Sequence, residues 1–141
     1  MGDFKKIIAE VMILSEAQGE RATLELLKTL NENKDYNDTQ TLVILLIHKT
    51  LSYSLYQLKC NKDSKNIAYK YAITIFVYML KKYDKKFEMK YLKTLIDRTP
   101  RAIYGYLSTI EKLDAKYPED KVHLQYLEKI ETEYLNHINK Q

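Results

Sequence analysis

The sequence predicts an all-α protein, a helical bundle of about five to seven helices, and three observations carry this prediction. Only 3 glycines and 2 prolines occur among 141 residues, so few turns interrupt the chain. Leu, Ile, Lys, Glu and Tyr dominate, and apolar residues recur at helical spacing in most segments. Helix-capping residues stand directly before several of these segments. A chain of this length forms one domain with a sizeable core.

The N-terminal part predicts two helices. Asp3 is a suitable N-cap for the first, which reaches about residue 17 and is stopped by Gly19. The second covers residues 20–30 and repeats the apolar spacing with leucines. It ends in "NENKDYND", the most loop-like stretch of the chain.

Two central helices follow. The segment "TQTLVILLIHKTLSYSLYQLKC", residues 39–60, is apolar nearly all round in its first half, which is typical of a helix enclosed by neighbours. After a cap signal in "NKDS", residues 65–83 are again apolar on several faces. The β-branched stretch "AITIFVYM" would also suit a strand, but its length without Gly or Pro favours a helix.

Three further helices are predicted in the C-terminal part, over residues 87–96, 101–116 and 118–139. Pro100 and Pro118 stand where the first turn of a helix needs no N–H. Glu119 and Asp120 then place acids where the helix dipole favours them. The last helix has one apolar stripe, which either packs on the core or pairs with a second copy. This stripe comprises Val122, Tyr126, Leu127, Ile130, Tyr134 and Ile138.

Composition excludes several classes of protein. The single cysteine, Cys60, rules out an internal disulfide and a Cys-rich metal site, and predicts a reducing compartment. The longest apolar run, Leu42 to Ile47, is far shorter than the roughly 20 residues of a membrane span. No signal peptide is recognised at the start. We therefore expect a cytoplasmic protein with no membrane partner.

Positive charge is concentrated in the middle of the chain. Residues 51–105 hold 12 Lys and Arg against 4 Asp and Glu, whereas acids outnumber bases in residues 1–50 and 106–141. This asymmetry indicates a surface that faces a polyanion, although a solvated basic face has the same pattern.

No enzyme signature is found. The chain lacks GxGxxG, GxxxxGK[ST], HExxH and GxSxG, so we expect no catalysis, no cofactor and no metal. His48 lies in the apolar helix, where a core histidine is the commoner case. His123 and His137 are 14 residues apart on one helix, which is about 21 Å and too far for one metal ion.

One stretch, "MKYLKTLIDRTPRAIYGYLSTIEKL" at residues 89–113, resembles the helix-turn-helix of DNA-binding regulators. That motif has a short helix, a tight turn, a Ser or Thr cap and a second helix of the type "SxxTVYRYL". It usually has Ala where this chain has Lys93, Gly where it has Asp97, and a small apolar residue where it has Arg98. The matching positions are Met89, Leu92, Ile96, Thr99, Ile103, Tyr104, Tyr106 and Leu107.

The resemblance implies a small DNA-binding protein, such as a transcriptional regulator, that uses the helix after Thr99 as its recognition helix. Residues 1–83 would then form the bundle, 86–116 the helix-turn-helix-like unit and 118–139 the terminal helix of one domain. A homodimer is expected because one recognition helix binds weakly. The residues that would contact duplex DNA are Lys90, Lys93, Arg98, Thr99, Arg101, Tyr104, Gly105 and Ser108.

Other functions remain open at this stage. A helical module that assembles with itself or binds a protein partner would also explain the apolar helices and the 13 tyrosines. Non-specific coating of nucleic acid by the basic middle segment is a third reading. The composition, rich in Tyr, Lys, Ile and Asn and without Trp, resembles that of small helical proteins encoded by viruses and plasmids of thermophilic archaea or by other AT-rich genomes.

Overall fold

The computed structural model describes residues 38–60, 65–85 and 87–139, and these residues form six α-helices and no strand. The all-α prediction is therefore confirmed for this part of the chain, while the two helices predicted at residues 3–17 and 20–30 lie outside it. The helices are α1 (Asp38–Leu51), α2 (Leu55–Cys60), α3 (Ile67–Tyr83), α4 (Met89–Ile96), α5 (Pro100–Glu111) and α6 (Pro118–Asn139).

Helices α1 and α3 form the centre of the fold and pack against each other. The apolar run of α1 is buried over its whole length, and so is most of α3, including the stretch that would also have suited a strand. Helix α6 packs on α1 and α3, and α5 packs on α3. Within the described chain, the largest fully buried side chains are Leu45, Leu46, Ile47, Leu58, Ile73, Ile75, Phe76, Met79, Leu80, Leu92 and Ile96.

The predicted helix over residues 39–60 is divided in two, which corrects the sequence prediction. Ser52 takes a positive φ of 61°, which ends α1 because a helix cannot continue through the left-handed conformation. Ser54 then starts α2 by a reciprocal pair of hydrogen bonds. Its hydroxyl accepts from the Gln57 N–H (3.2 Å), and its own N–H donates to the Gln57 side-chain oxygen (2.8 Å).

Helices α4 and α5 share the core of the bundle. Helix α4 packs chiefly on α2, and buried side chains of all six helices form one continuous cluster. The apolar faces of α1 and α3 are covered within the chain. None of the described helices combines the length and the hydropathy that crossing a bilayer requires.

The buried face of α6 is shifted from the predicted stripe. Leu127, Ile130 and Tyr134 are buried as expected, but Val122 and Ile138 are more than a third exposed. Two histidines take part in the buried face instead, His123 and His137. The stripe was predicted from apolar residues alone, which do not indicate that an imidazole ring is buried beside them.

Candidate nucleic-acid interface

The turn between α4 and α5 consists of Asp97, Arg98 and Thr99. Asp97 adopts the left-handed conformation (φ 51°, ψ 55°) at the C-terminus of α4. Glycine is the usual residue in that conformation, and Asp is one of the few others that tolerate it. This chain therefore has Asp97 where the motif usually has Gly, but the backbone at this position still takes the conformation that suits glycine.

Thr99 caps α5 as the sequence predicted, and Pro100 occupies the first turn. The Thr99 hydroxyl accepts from the N–H of Ala102 (3.2 Å), and the Thr99 carbonyl accepts from the N–H of Ile103 (3.1 Å). Pro100 has no N–H to offer. Two backbone N–H groups at the start of α5 are thus engaged within the hairpin and are not available to a phosphate.

Helix α5 has an inner and an outer face. The inner face packs on the bundle through Ile103, Leu107 and Ile110, all of which are buried. The outer face carries four of the predicted DNA-contacting residues. Their positions are one, three or four residues apart, so they share one side of the helix. These residues are Arg101, Tyr104 and Gly105, which are exposed, and Ser108, which is partly exposed.

Tyr104 and Gly105 stand out on this outer face. Tyr104 is 60% exposed, which is unusual for a large aromatic side chain in the middle of a helix packed on a core. A Cβ atom added at Gly105 would meet no atom within 4 Å. Tyr104 is thus an exposed ring, and the next residue leaves open space above its Cα, which we call the notch.

Arg98 was expected to contact DNA, and the structure places it elsewhere. It is only 8% exposed, and its guanidinium donates to the backbone carbonyls of Leu58 (3.2 Å), Lys59 (3.2 Å) and Ile96 (2.8 Å). It also donates to the hydroxyls of Tyr69 and Tyr106. Arg98 therefore joins the turn to the C-terminal end of α2, and we remove it from the set of candidate DNA contacts.

A guanidinium suits this position because the last carbonyls of a helix have no partners within the helix. The fork of N–H donors satisfies the end of α2, and the positive charge lies at the negative end of the helix dipole. The only sequence signal for this role was the departure from the motif at this position, where a small apolar residue is usual. A buried arginine and an exposed one look the same in a linear sequence.

The two candidate lysines of α4, Lys90 and Lys93, are exposed. Lys90 forms an ion pair with Glu88 (3.0 Å), in which both side chains are more than half exposed, so the pair contributes little stability. Lys93 occupies the position where the motif has Ala because two helices approach closely. Because Lys93 is exposed, α4 and α5 do not pack closely against each other at this position.

Other basic residues lie near the start of α5. Lys59 is exposed at the end of α2, and its carbonyl accepts from Arg98 in the turn. A cleft of about 350 Å³ between α3, α5 and the start of α6 is lined by Lys65 and Lys70, with Tyr106 and Glu119 also in its wall. The basic excess of residues 51–105 is thus partly gathered around the end of the fold where α5 begins.

Comparison of this chain with models of protein families, with curated proteins and with solved structures found no match.

Among the described residues, no group of three or more His, Cys, Asp and Glu side chains is placed to hold a metal ion. His123 is 1% exposed, and its Nε2 lies 2.7 Å from the hydroxyl of Thr74. Burial, together with the nearby positive charge of Lys70, lowers the pKa of His123 to about 4. The ring of Tyr71 packs against it with 4.7 Å between centroids. This arrangement was not anticipated from the sequence.

Proposed function

We propose that the protein binds duplex DNA and that the outer face of α5 enters the major groove. The observation that carries the proposal is the arrangement of α5, which is fixed by its inner face and presents Arg101, Tyr104, Gly105 and Ser108 outwards. A helix held in this way, with its N-terminal part exposed and basic, is the element that such proteins insert into the groove.

The roles of the side chains follow from their chemistry. Arg101 is exposed in the first turn of α5 and has the fork of donors that recognises the O6 and N7 atoms of guanine. Lys90 and Lys93 on α4 are suited to phosphates, which position a protein without reading sequence. Arg98 is a positioning residue that holds the turn on α2.

Symmetric dimers supply the affinity that one recognition helix lacks, so we propose a homodimer that acts as a transcriptional regulator. The exposed Leu135 and Ile138, three residues apart near the end of α6, are apolar side chains that a second copy would cover. Light scattering coupled to gel filtration tests the dimer directly.

A purely protein-binding module is the second candidate. The exposed ring of Tyr104 favours it, because tyrosine is enriched where proteins meet. In that case the protein would not bind duplex DNA even at low salt.

The decisive experiment measures fluorescence anisotropy of labelled duplexes at two salt concentrations. First, a preferred duplex is selected from a random-sequence library. Arg101→Ala is expected to weaken binding to this duplex about 5- to 150-fold while leaving binding to unrelated duplexes less affected. Lys93→Ala is expected to weaken binding to all duplexes alike and to reduce the salt slope by about 1.

Lys129→Ala is the matched control, because it removes the same charge from an exposed position of α6. We expect it to bind like the wild type. Equal losses for all three variants would leave only non-specific attraction to a polyanion, and the absence of any binding would refute the proposal.

A further inference from the structure

Gly105 lies in the middle of α5, where glycine is unfavourable. It loses more conformational freedom on folding than any other residue, and it lowers helix stability relative to alanine. Glycine is usually retained where φ is positive or where another part of the protein approaches closely. Neither applies here, because φ of Gly105 lies outside the left-handed region and a Cβ atom would meet nothing within 4 Å. The fold of the described chain gives no reason for this glycine.

The chemistry of the surface at Gly105 is apolar. In the interior of a helix the backbone N–H and C=O are engaged in the helical hydrogen bonds. The carbonyl of Gly105 also accepts a hydrogen bond from the Thr109 hydroxyl (3.0 Å). What faces outwards in the notch is therefore the Cα with its hydrogens, on the same face of α5 as Arg101, Tyr104 and Ser108.

We propose that this notch receives the C5-methyl group of a thymine when α5 lies in the major groove. This inference rests on the proposed function. Among the groups that base pairs present in the major groove, the thymine methyl is the apolar group that projects from the base edge, whereas the N7, O6, O4 and amino groups are hydrogen-bond donors or acceptors. The missing side chain at Gly105 lets the helix backbone approach to contact distance. The ring of the neighbouring Tyr104, which is 60% exposed, offers a further apolar surface to the methyl group.

The contact complements that of Arg101. Gly105 follows Arg101 by four residues, so the two lie on the same face about 6 Å apart along the axis. One turn of α5 thus offers a guanidinium for a guanine and, next to it, an apolar notch for a thymine. The preferred site should then contain a thymine close to the guanine that Arg101 contacts.

The test replaces thymines by deoxyuridine, which lacks the methyl group and pairs in the same way. In the duplex selected from the random-sequence library, each thymine is replaced singly and the affinity is measured by anisotropy. At one position we expect the wild-type protein to lose affinity about fourfold, as for one methyl group removed from a buried contact.

Gly105→Ala fills the notch and is expected to lose this preference, binding the thymine and deoxyuridine duplexes equally or preferring deoxyuridine. Its melting temperature should rise by about 2–4 °C, so that weaker binding is not a result of unfolding. Lys129→Ala changes an exposed position of α6 outside this face, and it should keep the wild-type preference.

Three outcomes would overturn the inference while leaving DNA binding intact. They are a selected site without thymine, a wild-type protein indifferent to every deoxyuridine replacement, and a Gly105→Ala variant that keeps the preference for thymine. If the wild-type protein binds no duplex at all, the inference and the proposed function fail together.

Discussion

The guanidinium of Arg98 donates a hydrogen bond to the hydroxyl of Tyr69, 29 positions earlier in the chain, and both groups are buried. The same hydroxyl donates to the carbonyl of Leu58 (2.8 Å), to which Arg98 also donates (3.2 Å). The turn before α5, the end of α2 and the first turn of α3 therefore meet at one point. The orientation of α5 depends on this junction.

Arg98→Ala should destabilise the whole protein. The substitution leaves the carbonyls of Leu58, Lys59 and Ile96 without this donor, and buried groups left unpaired in this way together cost about 3 kcal/mol or more. Urea unfolding followed by circular dichroism measures the loss. Arg98→Lys should give an intermediate value, because it keeps the charge but not the planar fork of donors.

Arg101→Ala is the control for this prediction, since it removes the same side chain from an exposed position three residues later. We expect its free energy of unfolding to change by less than about 0.5 kcal/mol. Similar unfolding midpoints for both variants would contradict the structural role of Arg98.

Tyr69→Phe should cost about 1–2 kcal/mol of unfolding free energy, because the hydroxyl is both an acceptor for Arg98 and a donor to Leu58. Tyr53→Phe serves for comparison. The Tyr53 ring packs edge-on against Tyr69 with 5.8 Å between centroids, and it is only partly buried. If the two variants were equally stable, the hydrogen bonds of Tyr69 would contribute nothing beyond the packing of its ring.

The stability of the protein should fall in mild acid through His123. Burial and the charge of Lys70 lower the pKa of this imidazole to about 4 in the fold, while the carboxylate of Asp120 acts in the opposite direction. In the unfolded chain the pKa returns to about 6.5, so the unfolded state binds a proton more readily. The free energy of unfolding therefore keeps its full value above pH 6.5 and decreases progressively as the pH falls towards 4.

Melting temperatures between pH 7 and 4 test this prediction. His123→Gln has no titrating group at this position, so its curve should be flatter than that of the wild type over the same interval. Parallel curves would show that His123 is not the source of the acid sensitivity.

Ser54→Ala should cost about 1 kcal/mol, because it removes the hydroxyl that accepts from the Gln57 N–H at the start of α2. Gln57→Ala removes the other half of the reciprocal pair, and the loss in the double variant should be smaller than the sum of the two single losses. Strict additivity in urea unfolding would contradict the cooperation of the two hydrogen bonds.

The starts of the later helices were predictable because their signals are local. Thr99 and Pro100 act on backbone groups within the next four residues, and the cap forms as the sequence indicated. Ser54 and Gln57 carry the same kind of local signal, but the long apolar pattern around them masked the break between α1 and α2. The outer face of α5 also follows from spacing alone, since Ile103, Leu107 and Ile110 define the opposite side.

The role of Arg98 and the environment of His123, unlike the helix starts, depend on contacts between residues that are distant in the sequence. Arg98 contacts residues 29 to 40 positions away, and His123 lies beside a threonine 49 positions away. Whether such a polar side chain is buried depends on the partners that the fold brings next to it. A sequence pattern of a few residues does not indicate these distant partners. The amino-acid order thus dictates the helices, their caps and their apolar faces, whereas the packing of those helices sets which charged groups are enclosed and which face outwards.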